Sequence, residues 1–257
     1  MQIPENHFKR RLLAGEQQIG IWMSSVSPLI SEMISLIGYD WMLFDTEHAP
    51  VDVAGVMPLL QAAATGASAS VVRPAWNDKV LIKRHLDQGA QTLLVPFVET
   101  PDEAAAAVRA MRYPPAGIRG VAGSTRASRF GLASDYLQRA NDQVCLLVQI
   151  ETAAALTQLE AIAAVEGVDG VFVGPSDLAA SLGHLGNPGH VDVQAALQDA
   201  LSRLKAMGKP AGILATNQAD AQRYLDWGYG FVAASVDTGL LMAAARGLLA
   251  NLQRQGA

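Results

Sequence analysis

The sequence predicts a single (β/α)8 barrel, and three observations lead there. Eight short runs rich in Val, Ile, Leu and Phe alternate with longer stretches of helical period. These runs are apolar almost throughout, as strands of a parallel sheet covered by helices are. Polar and ionisable residues gather where the runs end and are nearly absent where they begin, the asymmetry of a barrel whose site lies at the C-terminal strand ends. A chain of 257 residues is an ordinary length for one such domain, so residues 1–257 are expected to form one catalytic barrel. An open doubly wound sheet is the alternative, but no G-x-G-x-x-G follows the first run and eight alternations exceed what that fold needs.

The first strand is "QIGIWMS" (18–24), followed by the helical stretch "SPLISEMISLIG" (27–38), which a glycine stops. "WMLFDTE" (41–47) is the second strand. The run 53–72 carries no charge and is long enough to raise the question of a membrane span, but Gly55, Pro58, Gln61, Thr65 and Gly66 make it a poor one. It reads as an amphipathic helix, a stop at Gly66, and the start of the third strand, "ASVVRPA" (69–75). Next come the helix "NDKVLIKRHLDQG" (77–89), the strand "TLLVPFVE" (92–99) and the helix "PDEAAAAVRAMR" (101–112). The loop 113–130 carries Arg119, Arg126 and Arg129 among glycines, expected as solvated or subunit-contact charges; the other option is that one binds a distal carboxylate at a neighbouring site. The last four strands are "VCLLVQIE" (144–151), "GVFVGPS" (170–176), "AGILAT" (211–216) and "FVAASVD" (231–237). Their helices are 153–167, a short one opening at Ser176 and Asp177, then 191–208, 217–228 and 240–255.

Half the residues are hydrophobic and 17% are charged, which fits a compact chain with a large core. A formal charge of −5 argues against non-specific nucleic-acid binding. Cys145 is the only cysteine, set in an apolar strand, so it reads as a packed thiol and no intramolecular disulfide can form. The first residues are polar and lack the apolar core of a signal peptide. A cytoplasmic protein without membrane contact is the expectation.

The strand ends supply the chemistry. Side chains alternate along a strand, so Gln149 and Glu151 point the same way, into the barrel mouth. Glu151 and Asp177 then come from neighbouring strands about 5 Å apart, where two carboxylates repel unless a proton or cation intervenes. A hard divalent ion, Mg2+ or Mn2+ with Co2+ as a third candidate, suits such a pair; no His or Cys cluster accompanies it to favour zinc. The bland reading is that either carboxylate caps a helix or pairs with an arginine. In "VFVGPSDLA", Gly174 and Pro175 turn the chain and the N–H groups of Ser176 and Asp177 open a helix, a place that attracts a carboxylate. Beside a metal, this suggests a small 2-oxo acid chelated by its ketone and carboxylate oxygens. In "FDTEHAP", Asp45 and His48 are expected to pair, the carboxylate fixing the imidazole tautomer. Arg73 would stabilise a developing enolate oxygen, its bland alternative being an ion pair with Glu47. His7, His85, His184 and His190 look incidental.

"FDTEHAP", "VVRPAWND", "LLVPFVET", "RYPPAGIRGV", "VQIETAAAL" and "GVFVGPSDLAASLGHLGNPGH", with Val191 where a second proline would stand, together resemble the HpcH/HpaI aldolase family from about Phe8 to the last helix. These are metal-dependent class II pyruvate aldolases on a barrel of the phosphoenolpyruvate/pyruvate type. The resemblance implies reversible cleavage of a 4-hydroxy-2-oxo acid to pyruvate or hydroxypyruvate and an aldehyde, through a metal-stabilised enolate. It implies Glu151 and Asp177 as metal ligands, Arg73 as the enolate-stabilising residue and His48 with Asp45 as the base. Gln149 and the Ser176 and Asp177 amides would hold the pyruvate carboxylate, and Trp22 and Leu214 would line the aldehyde side. A homohexamer, two trimers exchanging C-terminal helices, is implied as well.

Three rivals have recognisable requirements. A Schiff-base aldolase needs a lysine in the mouth, yet Lys9, Lys79, Lys83, Lys205 and Lys209 all lie away from the strand ends. A lyase acting on a coenzyme A thioester would call for a nucleotide-binding surface, and one acting on a sugar diacid would share the core. A non-catalytic, metal-dependent carboxylate binder would have no use for a positioned base.

Overall fold

The computed structural model describes residues 1–252. Eight strands, β1 (Gln18–Met23), β2 (Trp41–Asp45), β3 (Ala69–Arg73), β4 (Thr92–Val95), β5 (Cys145–Ile150), β6 (Gly170–Val173), β7 (Ala211–Leu214) and β8 (Phe231–Val236), close into a barrel in sequence order. Every neighbouring pair is parallel, including β1 with β8. The predicted (β/α)8 barrel is therefore the fold. The helices are α1 (His7–Leu13), α2 (Pro28–Ser35), α3 (Val53–Ala63), α4 (Lys79–Asp87), α5 (Pro101–Met111), α6 (Tyr136–Gln143), α7 (Ala153–Thr157), α8 (Leu159–Ala163), α9 (Pro175–Ser181), α10 (Val191–Ala206), α11 (Gln218–Trp227) and α12 (Asp237–Asn251).

Local chemistry sets most boundaries. Asp52 and Asp78 accept from the first free N–H groups of α3 and α4, and Thr100 with Glu103 forms a reciprocal capping box on α5. Gly228 ends α11 in the left-handed region at φ 95°, where a side chain would be strained. The stretch 53–72 divides as expected into α3, a stop and β3, and among the described residues no helix is long and apolar enough to cross a membrane.

Differences from the expected elements have identifiable causes. The predicted helix 153–167 breaks at Gln158, whose φ of −108° and ψ of 9° leave the helical region, and so becomes α7 and α8. β4 stops at Val95 because Phe97 turns out of the strand with φ 52°. Helices α1 and α6 were not expected. The predicted last helix reaches 255, and positions 253–255 lie outside the described residues.

Two packed layers follow from strand alternation. Residues facing outward from the strands, such as Met42, Phe44, Val72 and Val148, meet the helices. Those facing inward, including Trp41, Leu43, Val71, Leu94, Leu147, Phe172 and Phe231, fill the barrel. Helix α1 plugs the N-terminal end: Phe8 packs edge-on against Trp41 and Phe231 at 6.0 and 5.9 Å, and Leu12 joins the same cluster. Cys145 is buried in this interior, and burial pushes its thiol well above the ordinary value, as a packed residue requires.

Gly20 is what makes room for the Trp41 indole, because a Cβ there would lie 2.2 Å from two ring atoms. Gly20→Ala should therefore destabilise the barrel by about 1–3 kcal/mol, the usual cost of overpacking a filled core. Thermal unfolding should show a melting temperature several degrees lower; an unchanged one would mean the interior is not close-packed at this point.

Candidate active site

The inward face of each strand changes from apolar to polar as it rises. On β2 the inward series is Trp41, Leu43, Asp45; on β3 it ends in Arg73, directly paired in register with Asp45; on β5 it runs Cys145, Leu147, Gln149. Glu151 follows just beyond β5. Asp45, Arg73, Gln149 and Glu151 are all buried, each 5% exposed or less. Asp177 lies in the first turn of α9 after β6, the helix start that the sequence places at Ser176 and Asp177.

Arg73 organises the mouth. Its Nε and Nη2 donate to the two carboxylate oxygens of Asp45 at 2.9 and 2.7 Å, and Nη1 lies 2.8 Å from Glu47 Oε2 and 3.5 Å from Gln149 Oε1. Both readings of Arg73, enolate stabiliser and Glu47 partner, thus remain compatible with its placement. The guanidinium also sits 4.6 Å from the Trp22 ring, whose indole N–H donates to Asp45 Oδ2 at 3.2 Å. Burial alone would push the Asp45 carboxyl up. The Arg73 hydrogen bonds and charge, with the Glu47 N–H and the Trp22 indole, outweigh it and hold Asp45 below the ordinary value.

One expectation is corrected here. Asp45 does not pair with the His48 imidazole: its oxygens are taken by Arg73, Trp22 and the backbone N–H groups of Glu47 and His48, the last at 3.5 Å. His48 lies in the bend after β2 and is exposed, whereas Asp45 is buried. A carboxylate this firmly held by a buried arginine has no oxygen left for a second cationic partner.

Glu151 is held on both sides. Oε1 accepts from the Phe97 N–H at 3.0 Å and Oε2 from the Gln149 amide. Gly174 is required beside it, since a Cβ would meet Glu151 Oε2 at 2.8 Å and Gln149 Nε2 at 3.1 Å. Burial raises the Glu151 carboxyl to about 7, with the charges of Asp177 and Glu47 adding to burial and the Phe97 and Gln149 hydrogen bonds opposing it. Glu47 is raised too, by burial above all, despite Arg73. Four carboxylates, Asp45, Glu47, Glu151 and Asp177, therefore gather near one arginine that bonds only the first two, an arrangement short of positive charge. The oxygen-only pair Glu151 and Asp177 fits a hard divalent cation, which would relieve that shortage.

Ser176 and Leu214 line a cavity of about 40 Å3 with Pro188, Gly189 and Thr216, while Trp22 is buried beside Arg73 in the interior cluster that Leu214 packs against. Asp237, another acid at a strand end, is occupied elsewhere: it accepts from the Ser24 and Ser25 N–H groups and so anchors the loop after β1. No lysine reaches the mouth. Lys9, Lys205 and Lys209 bond to the carbonyls of Val144, Trp227 and Val168, and Lys79 and Lys83 lie on α4.

The arginine loop departs from expectation. Arg119 is 2% exposed, pairs with Asp87 at 2.8 Å and stacks 4.4 Å from the Tyr113 ring, so it is neither solvated nor free to reach out. Arg126 donates to the Gln88 carbonyl, and only Arg129 of the three is exposed. Sequence reasoning also missed Phe97, and gave Gly174 only its part in the turn after β6. Phe97 reads as an ordinary strand residue, whereas Gly174 before Pro175 carried a signal of tight approach.

The sequence pattern of the HpcH/HpaI aldolase/citrate lyase family matches residues 18–244. The chain belongs to that family. It is 55% identical over 251 residues to a pyruvate aldolase of Rhizobium etli, covering 98% of this chain and 99% of that one. It is 54% identical over 252 residues to a 4-hydroxy-2-oxo-heptane-1,7-dioate aldolase of Escherichia coli, covering 98% and 96%. A crystal structure of an HpcH/HpaI aldolase/citrate lyase family protein from Burkholderia cenocepacia superposes with a TM-score of 0.93 at 45% identity, covering 95% and 98%. The chain is accordingly an enzyme with aldolase activity, a carbon–carbon lyase.

The raised Glu151 carboxyl has a stability consequence with a definite sign. The native state keeps a proton that the unfolded chain has already released, so the contribution of Glu151 is intact below about pH 4.5 and lost as pH rises through about 7. Glutamine mimics the protonated acid. In metal-stripped protein, Glu151→Gln should match the wild type near pH 5 and exceed it near pH 8, by up to about 3 kcal/mol. Thermal melts at the two pH values decide it, and a variant less stable at both would contradict the assignment.

Proposed function

We propose that this enzyme is a class II pyruvate aldolase, acting in one barrel on 4-hydroxy-2-oxo acids and releasing pyruvate, or hydroxypyruvate where the donor carries a hydroxymethyl group, and an aldehyde. The observation that carries the reading is the mouth itself: a single buried arginine amid four carboxylates, two of which form an oxygen-only pair beside a helix N-terminus. Glu151 and Asp177 would hold the ion, Mg2+ or Mn2+ with Co2+ also suited to the donors. When bound, such an ion supplies Lewis acidity at the oxygens of the 2-oxo acid.

The remaining work belongs to the side chains of the chain. The Gln149 amide and the Ser176 and Asp177 N–H groups orient the substrate carboxylate, the helix end favouring its charge. His48, through a water, takes the proton from the C4 hydroxyl; the C3–C4 bond then breaks and its electrons pass into the enolate. Arg73 stabilises the enolate oxygen through Nη1, whose 3.5 Å contact with Gln149 is long enough to be exchanged for a stronger acceptor. Return of a proton to C3 completes pyruvate. Asp45 acts on Arg73 in this scheme, holding the guanidinium in place, rather than on His48. Trp22 and Leu214 bound the aldehyde side.

We also propose a homohexamer of two trimers with exchanged C-terminal helices. Helix α12 buries only Asp237 of its residues, leaving Leu241, Leu248 and Leu249 more than 60% exposed, and α2 with its following turn exposes Leu29, Met33, Leu36 and Ile37. Exchange would cover both faces. A cytoplasmic setting fits a chain whose one cysteine is a buried thiol.

The test is cleavage of a 4-hydroxy-2-oxo acid, followed by coupled detection of pyruvate. Chelation should abolish activity and Mg2+ or Mn2+ restore it. His48→Ala should lower kcat by about 100-fold or more while metal affinity stays within a few-fold of the wild type. Full activity in the variant would remove His48 from its role, and activity that persists after chelation would remove the metal.

A further inference from the structure

The two histidines of the turn 182–190, between α9 and α10, meet at one point. The His184 and His190 rings stack with centroids 3.5 Å apart and planes 16° from parallel. His184 Nε2 and His190 Nδ1 both approach Asp192 Oδ2, at 3.1 and 3.5 Å. The Asp192 N–H points at His190 Nδ1 at 3.3 Å, a contact that suits the neutral tautomer with its lone pair on Nδ1. In that tautomer Nδ1 and Asp192 Oδ2 are two acceptors 3.5 Å apart, an opposition that a cation between them would turn into attraction, and the three ligand atoms all lie within 4.8 Å of one another.

From these contacts we propose a second metal site, made by His184, His190 and Asp192 and specific for late first-row ions such as Zn2+, Ni2+ and Cu2+. The spacing matches. Metal–ligand bonds of about 2.0–2.1 Å place tetrahedral ligands about 3.3–3.4 Å apart, and the two measured separations bracket that edge. The donor chemistry also separates this site from the mouth: two imidazoles and one carboxylate select borderline ions, whereas Glu151 and Asp177 offer oxygen alone. The backbone beneath is already set. His184 N–H bonds to the Ala179 carbonyl, Asn187 N–H to that of His184, and His190 N–H to that of Asn187, with Gly183 and Gly186 supplying the φ values of 85° and 76° that the turn requires. The half-buried rings need only splay about χ2 for their lone pairs to converge. His184 would bind the ion through Nε2 as the neutral tautomer that carries its proton on Nδ1, with no net loss of a proton, and the ion replaces the long Asp192 N–H contact. Pro188 and Gly189, between the two histidines, line the same small cavity as Ser176 and Leu214, so an ion here would also fix one wall of the mouth.

Copper titration of the full chain, read by electron paramagnetic resonance, tests the site without reference to turnover. The wild type should show coupling to two imidazole nitrogens, a signature that the oxygen donors at the mouth cannot give. Glu151→Gln should retain it, while His184→Gln and His190→Ala should lose it. Zinc calorimetry should show one fewer site per chain in either histidine variant. His190 caps α10, so His190→Ala also removes that cap; His184→Gln leaves the cap in place, keeps a side chain able to hydrogen-bond Asp192 and carries the test on its own. Two-nitrogen coupling that is absent from the wild type, or that survives His184→Gln, overturns the proposal.

Discussion

Arg73 and Asp45 face each other across adjacent strands, and the mouth of the barrel is arranged around their two-pronged contact. Neither group can be exposed to water without unpacking the barrel top, and removing either partner leaves a buried charge that costs about 3–5 kcal/mol. The pair sets the Trp22 indole, draws in Glu47 and leaves one guanidinium nitrogen pointed toward Gln149. It also fixes what Asp45 cannot do. Once its oxygens are committed to Arg73, Asp45 has none left for the His48 imidazole.

The same constraint explains the unusual environment of Glu151. Arg73 is shared between Asp45 and Glu47, so Glu151 and Asp177 receive little compensation for their proximity. Burial then holds Glu151 near neutrality in the absence of a cation. Hydrogen bonds from Phe97 and Gln149 fix its orientation but do not supply the missing charge. A site built this way is rigid and under-neutralised at once, which is the preorganisation that a metal and an anionic substrate would exploit.

Most of this architecture is legible in the sequence because strand alternation links position to direction. Trp41, Leu43 and Asp45 share a face whatever the loops do, and so do Leu147, Gln149 and Glu151. What alternation cannot reveal is where a side chain turns once its strand has ended. The Asp45 carboxylate accordingly meets Arg73 and not the expected His48 imidazole. Phe97 contributes its backbone N–H, for which its side chain gives no signal. Arg119 looked like a surface charge because its partner, Asp87, lies 32 positions away in the chain. His184 and His190 are separated by a turn that bends at Gly186, and only the folded turn brings their rings together.

The central claim, that this mouth turns a 2-oxo acid into an enolate with the help of a divalent ion, is most directly tested by proton NMR of pyruvate in deuterated water. Metal-stripped protein should leave the methyl signal intact, and restoring Mg2+ should make it disappear by exchange, with no aldehyde present. No exchange while pyruvate is bound, or exchange that proceeds equally without the ion, would contradict the account.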